Sequence, residues 1–382
     1  MIVGVPREIM DQEYRVAVTP QGAHELVVEG HKVLVEKDAG EGSSISDSDY
    51  ETAGADIVPS AADVYSEAEL ILKVKEPQES EFPLLREGHI IFTFLHLAAN
   101  KGLTEELIAR RVIAVAYETV ERPDGSLPLL APMSEVAGRM APQVGAHYLE
   151  KMNGGRGMLL GGATGVPPAI VVILGAGIVG SHSAILATGM DGHVIVLDKS
   201  LEKLRYLEHI LHGRVTTLAS NKMNVKQMVR EADLVIGAVL IPGALTPVLV
   251  DDDTVRSMRP GSVVVDISVD QGGCITTSKM TTHSDPVYLE HDVLHYCVGN
   301  IPGAVPRTST FALTNVTLPY ALEIAGLGLK EAVRRNNSLA KGINVIEGRV
   351  SSRPVAEAHG LEYEPLEHIL PIDLDSGQIF GS

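Results

Sequence analysis

The run Gly-Ala-Gly-Ile-Val-Gly at 175–180 has the GxGxxG spacing, directly follows an apolar run at Ile170–Leu174, and opens a helical pattern. Each glycine has its own physical task. Gly175 permits a tight turn, Gly177 lets a pyrophosphate approach the backbone, and Gly180 lets helix and strand pack closely. The phosphates then sit at the helix N-terminus beside Ile178 and Val179, where free N–H groups and the helix dipole favour anions. Glycine-rich turns often only reverse a chain, so the motif needs context. That context is a second strand, HVIVLD, ending in Asp198, eighteen residues past Gly180. A carboxylate there accepts hydrogen bonds from both ribose hydroxyls and repels a 2′-phosphate, which favours NAD over NADP. Read without the glycines, Asp198 could equally be a helix N-cap before Leu201. Ligands lie at the carboxyl ends of parallel strands. Further pocket candidates are therefore Ser220 after 215–218, Val239 and Leu240 after Leu234–Gly237, and Ile267, Ser268, Val269 and Asp270 after Val263–Asp266.

Positioning these groups requires alternating strands and helices, and the pattern supplies them. Strands are expected at Ile2–Val5, 33–35, 70–74, 90–95 and 113–117. Between them, Thr19-Pro20 starts a helix that Gly30 stops, 46–53 is a helix closed by Gly54, and another lies around 104–110. Pro123-Asp124-Gly125 reads as a turn. One long helix rich in small residues runs over 132–152, followed by NGGRGMLLGGATGVPPA, which looks like a mobile connection. A second alternation has strands at Ile170–Leu174, 194–197, 215–218, 234–236 and Val263–Asp266, and from Thr308 onward helical patterns dominate. Alternation of this kind implies parallel sheets covered on both faces. The fold class expected is α/β, with two Rossmann-like doubly wound domains and a cleft between them. The first domain is discontinuous: residues 1–130 plus 307–382 would bind substrate and 131–306 NAD.

Composition narrows the function classes. At 382 residues, 45% of them hydrophobic, the chain can bury two cores. With no Trp and 5 Phe, those cores are aliphatic. A net charge of −18, with no Lys/Arg run longer than two, argues against nucleic acid and anionic membranes as partners. The apolar runs are too short and too broken to span a bilayer. Cys274 and Cys297 are the only cysteines, which rules out a disulfide framework and suits a reducing cytoplasm; no secretory signal is visible.

At this level the segments become recognisable. GVPREIMDQEYRVAVTP (4–20), VKEP (74–77), FTFLHLA (92–98), APMSEVAGRMAPQVGA (131–146), IGAVLIPGA (236–244), VDQGG (269–273) and NIPGAVPRTSTFALTN (300–315) resemble alanine dehydrogenase, in matching order. A looser likeness exists to the NAD(H)-binding part of proton-translocating transhydrogenase. The resemblance implies four reacting-site residues. Arg15 would hold the substrate carboxylate, as a guanidinium does in bidentate fashion. Lys75, at the end of LILKVK, would contact the substrate carboxylate or carbonyl. Lys73, two residues earlier on the same strand, would then share its face. His96 would be the catalytic histidine, exchanging protons near neutral pH. Asp270 would be the second acid/base residue, acting on water or on the amino group. By residue type alone Arg15 and His96 read first as a surface arginine and a structural histidine, while Lys75 and Asp270 are evenly balanced between these roles and a solvated strand edge or a turn aspartate. Ser134, Lys203, Val298, Gly299, Asn300 and Ile301 complete the expected cofactor contacts. His283, His291 and His295, with Asp285 and Asp292, are too loosely spaced for a metal site, and no metal is expected. Cys274 reads as a small packed residue. Two departures from relatives, SHSAILATGMDGHV after the glycine motif and Gly299 where alanine is usual, do not touch the four.

The function implied is NAD-dependent, reversible oxidative deamination of L-alanine to pyruvate and ammonium, in a cytoplasmic homo-oligomer that the resemblance makes a hexamer. Domain closure about links near 130 and 306 would exclude water. Three alternatives stay open: a transhydrogenase component, an opine- or saccharopine-type dehydrogenase with a larger amine, and a non-catalytic NAD sensor.

Overall fold

Short runs rich in Val and Ile are crowded at Cβ and prefer the pleated strand. In the computed structural model, which describes residues 1–239 and 246–370, the chain opens with β1 (Ile2–Val5), α1 (Pro20–Val28), β2 (Lys32–Glu36), α2 (Asp47–Thr52), β3 (Asp56–Val58), α3 (Ala61–Glu67) and β4 (Leu70–Leu72). Then come β5 (Ile90–Thr93), α4 (Lys101–Ala109) and β6 (Ile113–Ala116). Polar caps start these helices. The side chains of Thr19, Ser46, Ser60 and Asn100 each accept a first-turn amide, worth about 1 kcal/mol apiece.

After α5 (Ala131–Leu149) the second alternation begins: β7 (Ile170–Leu174), α6 (Ile178–Gly189), β8 (His193–Asp198), α7 (Leu201–Ile210), β9 (Thr216–Ala219) and α8 (Lys222–Glu231). It continues with β10 (Leu234–Gly237), α9 (Asp252–Arg256), β11 (Val263–Asp266), β12 (Val287–Glu290) and β13 (Val293–Tyr296). The rest is α10 (Pro306–Leu327), α11 (Leu329–Arg335), α12 (Asn337–Gly342), β14 (Ile343–Ile346), β15 (Arg349–Val350), α13 (Arg353–His359) and α14 (Leu366–Ile369).

The chain forms two compact units, Met1–Met133 with the chain from Val305 onward, and Ser134–Ala304. Each is built on one sheet. The first orders its strands β15-β14-β6-β5-β4-β1-β2-β3 and the second β12-β13-β11-β10-β7-β8-β9. Pairings among β1–β6 are parallel, as are those joining β7 through β11 and β13. In both sheets three strands build outward on one side before the chain crosses to the other. A switch point therefore lies between β1 and β4, and another between β7 and β10, where ligands of doubly wound sheets bind.

Period-two burial explains why both faces are covered. Val171 and Ile173 of β7 join Val194, Val196, Leu234 and Ile236 in a core with Ala184 and Ala187 of α6 and Leu204 and Leu207 of α7. Val172 and Leu174 point the other way, to Val225 and Val229 of α8 and Val255 of α9. At about 25 cal/mol per Å² of apolar surface removed from water, such layers dominate the stability. Among the described residues no helix is long and apolar enough to cross a membrane.

Several boundaries depart from the sequence reading. β4 and β5 end at Leu72 and Thr93, short of 74 and 95, because the chain then turns into the loops that carry Lys75 and His96. The long helix stops at Leu149, and a 3-10 turn follows at Lys151–Asn153. The glycine-rich stretch is pinned rather than loose: the Arg156 amide donates to Gly261 O, and Arg156 pairs with Asp233 at 2.8 Å. A Cβ on Gly155 would lie 2.1 Å from Tyr148 O, so glycine here serves close approach. Two hairpins were not expected, β12–β13 and β14–β15. Their turns use positive φ at His291 and Asp292 (52° and 60°) and at Glu347 and Gly348 (52° and 76°), where the recognisable turn pair would be Asn-Gly.

Candidate functional site

The glycine turn follows β7. Gly175 has φ 109°, and a Cβ there would meet Ala238 O at 2.6 Å. A Cβ on Gly180 would fall 1.9 Å from Gly175 O, whereas one on Gly177 meets no heavy atom within 4 Å. Gly180 is thus needed for the fold, and Gly177 borders space that no described residue fills. Among the described residues no side chain caps α6 at Gly177, and the free amides of a helix's first turn suit an anion. Asp198, half-buried at the end of β8, accepts the Ala176 amide at 2.6 Å through Oδ2 and the Ser200 amide at 2.7 Å through Oδ1. Ser200, rather than Asp198, caps α7. The close-packed glycine turn, the uncapped helix and the carboxylate together fit a dinucleotide with a free 2′-hydroxyl.

The strand ends beside this turn carry the other expected contacts. Ser220 is half-buried, and its amide donates to Asp198 O. Val239 donates its amide to the Ser268 hydroxyl at 3.1 Å; Leu240 lies outside the described residues. Ile267, Ser268, Val269 and Asp270 form a 3-10 turn, Ile267–Gln271, with Ser268 and Val269 buried and Asp270 exposed. Asp270 adjoins Gly299, where a Cβ would come within 3.0 Å of its Oδ1. Val298 and Ile301 are buried around Gly299 and Asn300, the latter at φ 63°. Ser134 is half-buried in the first turn of α5, one turn before Gly138, whose carbonyl accepts Ser183 Oγ of α6 at 2.9 Å. Lys203 is exposed in the first turn of α7.

The residue the sequence reading undervalued here is Asp266. Its buried carboxylate accepts the Ser268 and Cys274 amides, each at 3.0 Å, and Ser278 Oγ at 2.7 Å. Burial raises its pKa against those bonds. Ending the strand on an Asp was visible in sequence; its partners were not.

In the other unit the candidates again follow strand ends. Arg15 is buried, at 2% exposure, rather than on the surface. Its Nε and Nη2 donate to Glu13, the former at 2.7 Å, and Nη1 lies 3.1 Å from Met133 Sδ. Lys73 and Lys75 differ in burial and in partners. Lys73 is fully buried between Glu8 (3.1 Å) and Glu81 (3.0 Å), and Glu81 also accepts the Tyr65 hydroxyl. Burial works to lower the pKa of Lys73, but the two carboxylates outweigh it and hold the ammonium above its ordinary value. Lys75 is half-buried with no ion pair among the described residues; its amide donates to Glu8 Oε1 at 3.3 Å.

His96 is exposed and sits in the left-handed region at φ 50°, ψ 36°. Its ring stacks parallel to Phe94 at 6.0 Å. Glu118, which the sequence reading missed, accepts the amides of Leu95 and His96. The three downstream histidines are engaged separately: His283 with Asn300 O, His291 with Asp252, His295 with Thr277 and Val293. Cys274 is wholly buried, and burial pushes its thiol far above the ordinary range.

Comparison with known proteins bears on the whole chain. The family description "Alanine dehydrogenase/PNT, N-terminal domain" matches residues 4–137, and its C-terminal counterpart matches 141–353. The chain is 54% identical to the alanine dehydrogenase of Methanococcus maripaludis over 97% of its own length and all of that protein. It is 52% identical to alanine dehydrogenase 2 of Staphylococcus aureus, with the same coverage. A solved L-alanine dehydrogenase, 48% identical, superposes with a TM-score of 0.92 over 94% of this chain and 99% of that one. A transhydrogenase from Sinorhizobium meliloti reaches 0.80 at 25% identity, covering 92% of this chain and all of that one. With the switch-point loops, the glycine turn and its carboxylate in place, the chain belongs to the alanine dehydrogenase/PNT family.

Proposed function

We propose that this protein is an NAD-dependent dehydrogenase interconverting L-alanine with pyruvate and ammonia. The observation that carries the reading is its full-length identity of 52–54% with alanine dehydrogenases, against 25% with a transhydrogenase. The nucleotide domain, about residues 131–306, holds the dinucleotide on the glycine turn, the Ile178 and Val179 amides and Asp198. Bound NAD supplies the hydride acceptor for the α-carbon of alanine. The remaining chain is the substrate domain. Arg15, oriented by Glu13, grips the carboxylate, and Lys75 adds a second positive charge beside it. Lys75 suits that task better than Lys73, which is committed to Glu8 and Glu81.

Loss of hydride leaves an iminium carbon that water attacks, and the resulting carbinolamine collapses to pyruvate and ammonia. His96 exchanges the proton on the substrate oxygen, and Asp270 the proton of the water or the amino group. Holding the α-carbon in line is worth more than either proton transfer. The same reading makes the protein a cytoplasmic homohexamer. The buried, unpaired Cys274 and Cys297 support a reducing compartment. Exposed Met152, Leu159 and Val166 are candidates for subunit contact.

The test is NADH oxidation with pyruvate, with and without ammonium. Rapid oxidation requiring both is expected. Oxidation with pyruvate alone would indicate a hydroxy-acid dehydrogenase, and silence in both would favour a transhydrogenase-like or sensor role. His96→Ala and Asp270→Ala should bind NADH normally and lose turnover by roughly 100-fold or more.

A further inference from the structure

We infer that Glu118 is a positioning residue for His96, and that Tyr117 completes the clamp through Phe94. The inference rests on the catalytic reading of His96. A histidine at φ 50° and ψ 36° occupies a backbone region that costs an L-residue about 1–2 kcal/mol. Something must hold it there, and the loop after β5 has no glycine to do so. Both oxygens of Glu118 accept the Leu95 amide at 3.2 Å, and Oε1 accepts the His96 amide at 2.6 Å. These charge-assisted bonds fix the two peptide planes immediately before the imidazole. Glu118 is itself fixed, because it lies in the 3-10 turn Tyr117–Thr119 directly after β6, whose Ala116 pairs with Thr93 of β5.

The ring is fixed from the same place. His96 stacks on Phe94, and Phe94 meets Tyr117 edge-on at 5.1 Å and 86°. Tyr117 is buried and also edge-on to Phe92 at 4.4 Å. Two consecutive residues thus set the backbone and, through one intervening ring, the side chain of the proposed proton-transfer group. The plan repeats elsewhere: Glu8, after β1, accepts the Val74 and Lys75 amides after β4 at 2.6 and 3.3 Å. A carboxylate at one strand end clamps the loop at the neighbouring strand end.

The experiment is a double-mutant cycle on full-length protein with pyruvate, ammonium and NADH: Glu118→Ala, His96→Ala and both together. Glu118→Gln, which keeps the shape and one acceptor, serves if the alanine variant fails to fold. Removing the clamp should lower kcat by about 10–100-fold, the cost of misplacing a reacting group by roughly 1 Å. KM for pyruvate and NADH affinity should stay within about twofold, and Glu118→Gln should recover part of the loss. On the His96→Ala background, removing Glu118 should cost less than about twofold more. Wild-type kcat in both Glu118 variants, or a full multiplicative loss in the double variant, overturns the positioning role while leaving His96 catalytic. Near-normal turnover in His96→Ala overturns the catalytic reading itself and the clamp with it.

Discussion

Asp198 at the end of β8 accepts the Ala176 amide of the glycine turn at 2.6 Å. One carboxylate therefore shapes the glycine turn and, on the proposed reading, is also the group that would accept a ribose hydroxyl. Replacing Asp198 with Ala should weaken NADH and relax the exclusion of NADPH together, because a like-charge contact with a 2′-phosphate costs several kcal/mol. We expect the NADH-over-NADPH ratio of kcat/KM to fall by at least about tenfold, equivalent to about 1.4 kcal/mol. An unchanged ratio would remove Asp198 from cofactor selection.

Gly177 and Gly180 should fail in different ways when changed to Ala. At Gly180 the new methyl would collide with Gly175 O at 1.9 Å, so overpacking of about 1–3 kcal/mol or more should appear as a lower melting temperature. At Gly177 no described residue lies within 4 Å, so the melt should hold while fluorescence titration shows NADH binding weakened by about tenfold. Equal melts for the two variants would contradict this assignment.

Asp266→Ala removes a buried acceptor that orders the turn carrying Ser268 and Asp270. Hydrogen bonds to a charged group contribute about 1.5–3 kcal/mol, so the melting temperature should drop. NADH affinity should drop with it, since Ser268 Oγ accepts the Val239 amide. Loss of stability with unaltered affinity would make Asp266 purely structural.

His89 predicts a pH dependence of stability. It is wholly buried; Nδ1 accepts the Arg86 amide at 3.2 Å and Nε2–H donates to Tyr65 O at 3.0 Å. Both nitrogens are therefore spoken for in the neutral ring, and burial, with Arg86 nearby, lowers the pKa from 6.5 to about 4. The unfolded chain takes up a proton first. This stabilising contribution is thus complete above pH 6.5 and is lost as the pH falls towards 4. Any stability advantage of the wild type over His89→Gln should narrow across that window in thermal melts at pH 7, 5.5 and 4.5. A constant gap would mean that His89 is not the titrating group.

Local chemistry was enough to reveal the two alternations of strand and helix, the glycine turn and its acidic partner. Each depends on residues within one βαβ unit: period-two Val and Ile, a glycine where a Cβ would clash, an Asp at the next strand end. Hairpins such as β12–β13 are not legible in sequence because His291-Asp292 takes the two positive φ values of the turn without a glycine to mark it.

What the tertiary structure alone decided is how each charge is spent. Lys73 and Lys75 are indistinguishable by spacing, yet one is enclosed by Glu8 and Glu81 and the other is not. Arg15 looks like a surface residue until Glu13 and Met133 enclose it, and nothing near His96 in sequence announces Glu118. The reason is physical. Backbone preference is set by neighbours along the chain, whereas burial and ion pairing are set by whichever strand end the sheet order brings alongside.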